Sequence, residues 1–425
     1  MASMVWIVLV PGMLEANREE RIRRLLARLS FAVLVGFALA IAVATGIAAM
    51  KTPDPGNPFA ASARAANLGY LLVWLSISVA AALSALKSRS RYLCLLLTGM
   101  LMLEGIGLLV YRIKTGNGFR PTPTAISQSF EAHPLLVGVP RPGRHSEAVS
   151  HTADGRRVTI NEGKAADASR IYVFGGSTTY DLYVRDEETW PSQLSLLLGR
   201  DHRVENFGVP GYSSVENLIQ ALFAFREAVP TCAVYYVGWN DLRNSHVKTL
   251  RSDFSDFHLP NQKISLGLQG GSAYSAFLVA LHYLLDEKPV MPEGAPSAEY
   301  DERLGAIYAR NMELISVLTR QFGVRAIFVP QVLNFEQLTG ESIDPWVPFV
   351  REKDLGSLMK RMNQQLARAA QANGAAFLGD VSEQPWSAED FFDQGHFRPA
   401  GSRKFALALR ESIATQCGKA GPWNR

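Results

Sequence analysis

Four short blocks hold the residue types that could break an acyl bond. They are Gly175-Gly176-Ser177-Thr178, Asn206-Phe207-Gly208-Val209-Pro210-Gly211, Gly238-Trp239-Asn240-Asp241 and Asp393-Gln394-Gly395-His396. Ser177 is the candidate nucleophile. A serine hydroxyl is weak at neutral pH and needs a base beside it. Asp393 and His396 stand three apart, which lets the carboxylate reach the imidazole, fix its tautomer and stabilise the imidazolium. His396 could then take the proton from Ser177. A tetrahedral oxyanion also needs donors aimed at one point. The N–H groups of Ser177 and Gly211 and the side-chain amide of Asn240 could supply three. Taken singly, each block is ordinary. Gly-Gly-Ser is a common turn, Asn240 could end a strand in an Asx-turn, and a histidine before a helix is usually a cap or a packing residue. Those readings explain one block at a time and not four in a fixed order.

The elements that must position these blocks alternate between strand and helix from Arg170 onward. Apolar stretches over 171–174, 204–207, 232–237, 324–329 and 376–378 read as strands. Helical spacing runs over 189–198, from a capping box at Ser213-Ser214-Val215-Glu216 to Ala228, and over 297–322, 352–372 and 399–414. Such alternation implies a parallel sheet covered on both faces. Sites in these sheets lie beyond the carboxyl ends of the strands, where Ser177, Gly211 and Asn240 all fall. Two insertions, 243–296 and 334–350, leave the sheet on that side. They read either as walls of a substrate pocket or as peripheral decoration. Residues 115–169 hold Pro121, Pro123, Pro134, Pro140 and Pro142 and read as a linker with some extended structure, draped over the following domain.

Over Arg170–Ser412 the blocks resemble those of the SGNH hydrolases, also called GDSL esterases and lipases. Ser177 matches the nucleophile of that family's first block. Gly211 matches the oxyanion glycine, Asn240 the oxyanion asparagine, and Asp393 and His396 the last-block pair. Thr189-Trp190-Pro191 resembles a recurring segment with a packing role. The resemblance implies a flavodoxin-like three-layer α/β/α sandwich and an ester, thioester or glycan-acetyl substrate. The first block departs from the family pattern, reading Gly-Gly-Ser-Thr where Gly-Asp-Ser-Leu is usual. The missing Asp is not one of the triad.

Before Lys114 the chain carries three long apolar runs, about 29–50, 68–86 and 92–111. Each is long enough for a bilayer core, which takes about 20 residues. They are therefore expected to be three transmembrane helices. Helices buried in a bundle are the alternative, and a signal peptide is the alternative for the first run. Arg18, Arg21, Arg23, Arg24 and Arg28 lead the first run, and Lys87, Arg89 and Arg91 follow the second. The first connection has only Lys51 and Arg64. Lys/Arg bias then places the chain after Lys114 outside the cytoplasmic membrane, in the periplasm. Glu104, within the third run, is expected to be protonated or paired against the other two helices rather than catalytic.

The chain carries a net charge of +4. Residues 1–114 hold twelve Lys/Arg and five Asp/Glu, more than the whole excess, which leaves the remainder mildly acidic and argues against a nucleic-acid partner. Cys232 and Cys417 are read as two buried free thiols, though an oxidising compartment would permit pairing. No Cys/His set has zinc spacing, so neither a metal nor a cofactor is expected.

The combined expectation is a membrane-anchored, multi-pass serine esterase of the cytoplasmic membrane. Its partners would be membrane lipid, through the three helices, and an acylated cell-surface glycan or lipid as substrate. Acyl transfer to a glycan acceptor is one alternative. A non-catalytic scaffold with envelope-complex partners is another.

Overall fold

The computed structural model describes scattered positions between 18 and 40, then residues 60–85, 91–115, 129–266 except 147, 275–285, and 295–418 except 345. The chain divides into two compact units. One comprises 1–55, 60–124 and 270–286, and the other 56–59, 125–269 and 287–425.

The larger unit is built on seven strands: β1 (Phe130–His133), β2 (Val137–Pro140), β3 (Ser169–Gly175), β4 (His202–Asn206), β5 (Cys232–Tyr236), β6 (Arg325–Phe328) and β7 (Ala376–Phe377). β1 and β2 form an antiparallel hairpin within the proline-rich segment. The other five form one parallel sheet in the order β4-β3-β5-β6-β7. Relative to the sheet's first strand this is 2-1-3-4-5, the doubly wound order whose direction reverses between β3 and β5.

Side chains alternate across the sheet with the strand period of two. Tyr172, Phe174, Ala233, Tyr235, Ala326 and Phe328 face one layer, with helices Ser214–Glu227, Glu302–Gln321 and Glu352–Asn373. Ile171, Val173, Cys232, Val234, Tyr236 and Ile327 face the other, with helices Trp190–Leu197 and Pro399–Cys417. Both faces are therefore apolar, as a parallel sheet requires. Ser213 and Glu216 form the capping box of helix Ser214–Glu227.

Cys232 opens β5 and Cys417 ends the last helix. The two meet as a disulfide with Cα atoms 5.6 Å apart. Free thiols were the expectation. The pairing arises because the last helix packs back on the strand that began 185 residues earlier, a proximity that spacing along the chain does not encode.

The expectation of three membrane spans is corrected. Most of the first run lies outside the described residues. The second and third fall in helices Ala60–Ala85 and Arg91–Thr115. Among the described residues no helix is long and apolar enough to cross a membrane. Part of the runs' apolar surface is used within the smaller unit, where Tyr70, Trp74, Ala81, Leu101 and Leu108 pack with Ala276. Outer positions such as Leu72, Leu96 and Ile106 remain exposed. The membrane-anchored type, the lipid partner, the cytoplasmic-membrane location and the periplasmic placement were all drawn from those spans and fall with them. So does the expected substrate at the cell surface.

Glu104 is fully buried and paired, with one partner in the second run, as expected, and the others in the first insertion. Its carboxylate accepts from Tyr70 Oη (2.5 Å) and Ser275 Oγ (2.8 Å), and from the N–H groups of Ala276 (2.6 Å) and Phe277 (3.2 Å). It thus caps helix Ala276–Leu285, where an acid is favoured by the free N–H groups and the helix dipole. That helix belongs to the first insertion. The insertion therefore contributes to both units, with helix His258–Ser265 in the larger one.

Candidate active site

β3 ends at Gly175 and helix Ser177–Tyr180 begins two residues later. Gly176 permits this reversal in a crowded place. A Cβ there would lie 2.3 Å from Asn240 Nδ2. The Asp that the resembled pattern carries at this position would displace that amide, and glycine leaves it where it is.

Ser177 is 9% exposed, and its Oγ lies 2.7 Å from His396 Nε2. His396 Nδ1 lies 2.8 Å from Asp393 Oδ2 and 3.0 Å from Oδ1. The same carboxylate accepts the N–H groups of Gly395 (3.0 Å) and His396 (2.9 Å). A four-residue turn therefore orients its own acid toward its own base. Burial pushes the Asp393 carboxyl up, but the His396 charge and hydrogen bond, with the two N–H groups, outweigh it and bring it to about 2. For His396, burial works to lower the imidazole. The charge and hydrogen bond of Asp393, joined by the charge of Asp181, leave it raised above 6.5. The edge of the Tyr183 ring, 5.0 Å away between centroids, closes one side of the imidazole.

The three candidate oxyanion donors lie at the same sheet edge. Asn240 starts beyond β5, so it and Ser177 flank the point where the strand order reverses. Its amide is held at both ends: Nδ2 donates to the Tyr212 carbonyl (3.0 Å), and Oδ1 accepts from Trp346 Nε1 (3.2 Å). Gly211 has φ +84, a left-handed value that favours glycine. A Cβ there would also strike Gln262 Oε1 at 1.8 Å. Among the described residues, neither the Ser177 nor the Gly211 N–H donates to a backbone carbonyl.

Several residues support the site, and of these only Thr189 and Trp190 were singled out by sequence. Asp181 has φ +61 and is buried. Its Oδ2 accepts the Trp190 N–H (2.7 Å) and Ser402 Oγ (2.6 Å). It thereby joins the turn after Ser177 to the helix that follows His396. Burial pushes its carboxyl up to about 7. Arg157 is fully buried. It donates to the carbonyls of Tyr180 (3.0 Å), Asp181 (2.9 Å) and Val184 (2.7 Å) and to Asp186 Oδ1 (3.1 Å). Thr189 caps helix Trp190–Leu197, and the Trp190 indole N–H donates to the Thr178 carbonyl (2.9 Å). Trp346 brings the second insertion against Asn240. Arg157 sits in the proline-rich segment beside Arg156, Gly155 and Asp154, and nothing there singles it out. Thr189 and Trp190 apart, the others carry no signal that sets them apart from ordinary loop residues. No group of three or more His, Cys, Asp or Glu suited to a metal occurs among the described residues.

Neither a model of any protein family nor any curated protein matches this chain. Solved structures do. A GDSL-like lipase from Bacteroides thetaiotaomicron is 13% identical, with a TM-score of 0.34, over 60% of this chain and 91% of that one. A putative SGNH hydrolase from Slackia heliotrinireducens is 18% identical, with a TM-score of 0.34, over 58% and 99%. The structure titled TesA is 13% identical, with a TM-score of 0.36, over 58% and 99%. Similarities at these identities and TM-scores assign neither activity nor substrate to this chain.

Proposed function

We propose that the larger unit is a serine-dependent acyl hydrolase, with Ser177 as nucleophile, His396 as base and Asp393 as the acid that orients it. The observation that carries this reading is the unbroken hydrogen-bonded line from Ser177 Oγ through the His396 imidazole to Asp393, at 2.7 Å and 2.8 Å. Ser177 Oγ attacks the acyl carbonyl carbon while its proton passes to His396 Nε2. The imidazolium that forms is stabilised by a carboxylate already ionised over the whole working pH range. The carbonyl oxygen becomes an oxyanion and accepts from the N–H groups of Ser177 and Gly211 and from Asn240 Nδ2. Collapse breaks the ester C–O bond, and His396 returns the proton to the departing alkoxide. Water then attacks the acyl carbon and loses a proton to His396; the Ser177 Oγ–acyl bond breaks, His396 returns that proton to Oγ, and the acid is released.

Replacing Ser177 with Ala removes the nucleophile without touching its supports. The variant should fold normally and lose about 10⁴-fold or more of the kcat for 4-nitrophenyl acetate. It should also lose labelling by a fluorophosphonate probe. Equal turnover by the two purified, folded proteins would take Ser177 out of the mechanism.

A further inference from the structure

Beside the oxyanion amide lies a cation that forms no ion pair among the described residues. Arg243 follows Asn240 by three residues, at the end of helix Trp239–Leu242. It is 7% exposed. Its guanidinium carbon lies 3.7 Å from the centre of the Trp346 ring and 5.8 Å from that of Phe257. Its Nε and Nη1 are sealed from solvent and meet no hydrogen-bond acceptor among the described residues. Glu216 acts on it through space, but that carboxylate is already engaged by the Ser213 N–H (2.9 Å), Ser213 Oγ (2.5 Å) and His258 Nε2 (3.1 Å).

Such an arrangement is costly in a protein at rest. Two N–H groups of a charged side chain are desolvated and unpaired, and the aromatic faces return only part of that loss. Burial lowers the guanidinium to about 10, which still leaves it charged at neutral pH. Its position ties it to the chemistry. The indole on which it stacks is the one whose N–H holds Asn240 Oδ1 at 3.2 Å. Other polar atoms at this rim are also unmet. Gln262 Oε1, packed against Gly211, is sealed without a partner, and so are both amide atoms of Asn334, whose N–H is held by the Gln394 carbonyl at 2.9 Å. A purely apolar acyl ester would leave the Arg243 cation unmet.

We propose that Arg243 is an anion subsite of the acyl hydrolase, taking a carboxylate or phosphate carried by the ester substrate next to the reacting carbonyl. This rests on the esterase reading of the same site. The guanidinium is a planar fork that matches either group, with Nη2 the one nitrogen not sealed, so taking the second parallel hydrogen bond requires the rim beside Nε or Nη1 to open. Trp346 then serves both ends of the substrate, supporting the anion's partner on its face and the oxyanion's donor through its N–H.

The test uses the full chain and three probes of one shape: benzoate, phenyl phosphate and benzamide. Each is titrated by thermal shift and as a competitive inhibitor of 4-nitrophenyl acetate hydrolysis. At least one anion should bind tenfold or more tightly than benzamide, and which one does identifies carboxylate or phosphate as the group. Arg243→Gln should lose that preference, and Arg243→Lys, which keeps the charge without the fork, should retain only part of it. Equal binding of all three probes to the intact protein overturns the proposal without any variant, so a misfolded Arg243→Gln does not shelter it. An anion preference that survives in folded Arg243→Gln also overturns it. Repeating the thermal shift in Ser177→Ala separates the two readings, because the subsite should persist there while hydrolysis is gone.

Discussion

The serine side and the histidine side of this site are held in different ways. The turn after Ser177 is sealed: Thr179, Tyr180 and Asp181 are buried, and Arg157 ties the carbonyls of Tyr180, Asp181 and Val184 around it from a remote segment. The histidine turn is half open. The Asp393 side chain is 41% exposed and that of His396 17%, and its main bonds are among its own four residues. Ser177 is thus placed by tertiary structure and His396 by a local turn. A fold can afford this difference because an i, i+3 acid–base pair needs only the right turn, whereas Ser177 must be aimed at partners that arrive from distant parts of the chain.

This contrast is broken most directly at Asp393. Asp393→Asn keeps the shape of the turn but offers His396 the wrong tautomer, and kcat should fall about 10⁴-fold. Because the turn is local and partly exposed, the melting temperature should move little. A large loss of stability in that variant would show that the histidine side is as deeply embedded as the serine side.

Arg157 probes the opposite case. Arg157→Met removes the hub and leaves the carbonyls of Tyr180, Asp181 and Val184 and the Asp186 carboxylate buried without it. The expected cost is about 3–5 kcal/mol, read by denaturant unfolding, with activity lost in parallel. Loss of activity alone, at full stability, would mean that Arg157 acts on substrate and not on the turn.

How far the sequence reveals the site follows the same divide. Ser177, Gly211, Asn240, Asp393 and His396 are found from short blocks because each lies where a strand or turn ends, and residue type at such places is restricted. The strands were also legible, since β3, β5 and β6 are apolar runs of the right length. Arg157 was not, because it lies in a stretch that reads only as linker, and its role depends on a fold that brings residue 157 to residues 180–186. Asp181 and Trp346 are loop residues whose meaning is entirely tertiary. The same limit applies to Cys232 and Cys417. The apolar runs before Lys114 show the converse error: hydropathy records how apolar a run is and not what its residues pack against, and Glu104 meets, besides Tyr70, partners at the start of a helix some 170 positions further on.

Asn240 sits between the two sides and sharpens the contrast at the oxyanion. Asn240→Ala removes one of three donors and should lower kcat about 10²–10³-fold, with KM changed much less. An effect confined to KM would place the amide on the ground-state substrate.

The smallest effect expected is also the one that joins the two sides, at Asp181. His396 must be neutral to accept the Ser177 proton, so kcat/KM should rise with pH through an apparent pKa above 6.5, the direction in which Asp393 and Asp181 move it. Stability should run the other way. Asp181 rises from an ordinary 3.8 to about 7 on folding, and His396 is also raised. Groups raised on folding bind more protons in the native state, so their contribution is fully present below their unfolded values and is lost as pH climbs through the folded ones. For Asp181 that window is about pH 4 to 7, and for His396 it begins near 6.5. Asp393, lowered to about 2, contributes only above its unfolded value and is lost on acidification toward pH 2. The melting temperature should therefore decline from pH 5 to pH 8 while activity increases. Asp181→Asn replaces a carboxylate that His396 senses with a neutral group. It should move the acid limb of the rate profile to lower pH and flatten the decline in stability over the same range. A profile that shifts without any change in the stability slope would mean that Asp181 is ionised in both states, and that its hydrogen bonds to Trp190 and Ser402 offset its burial in full.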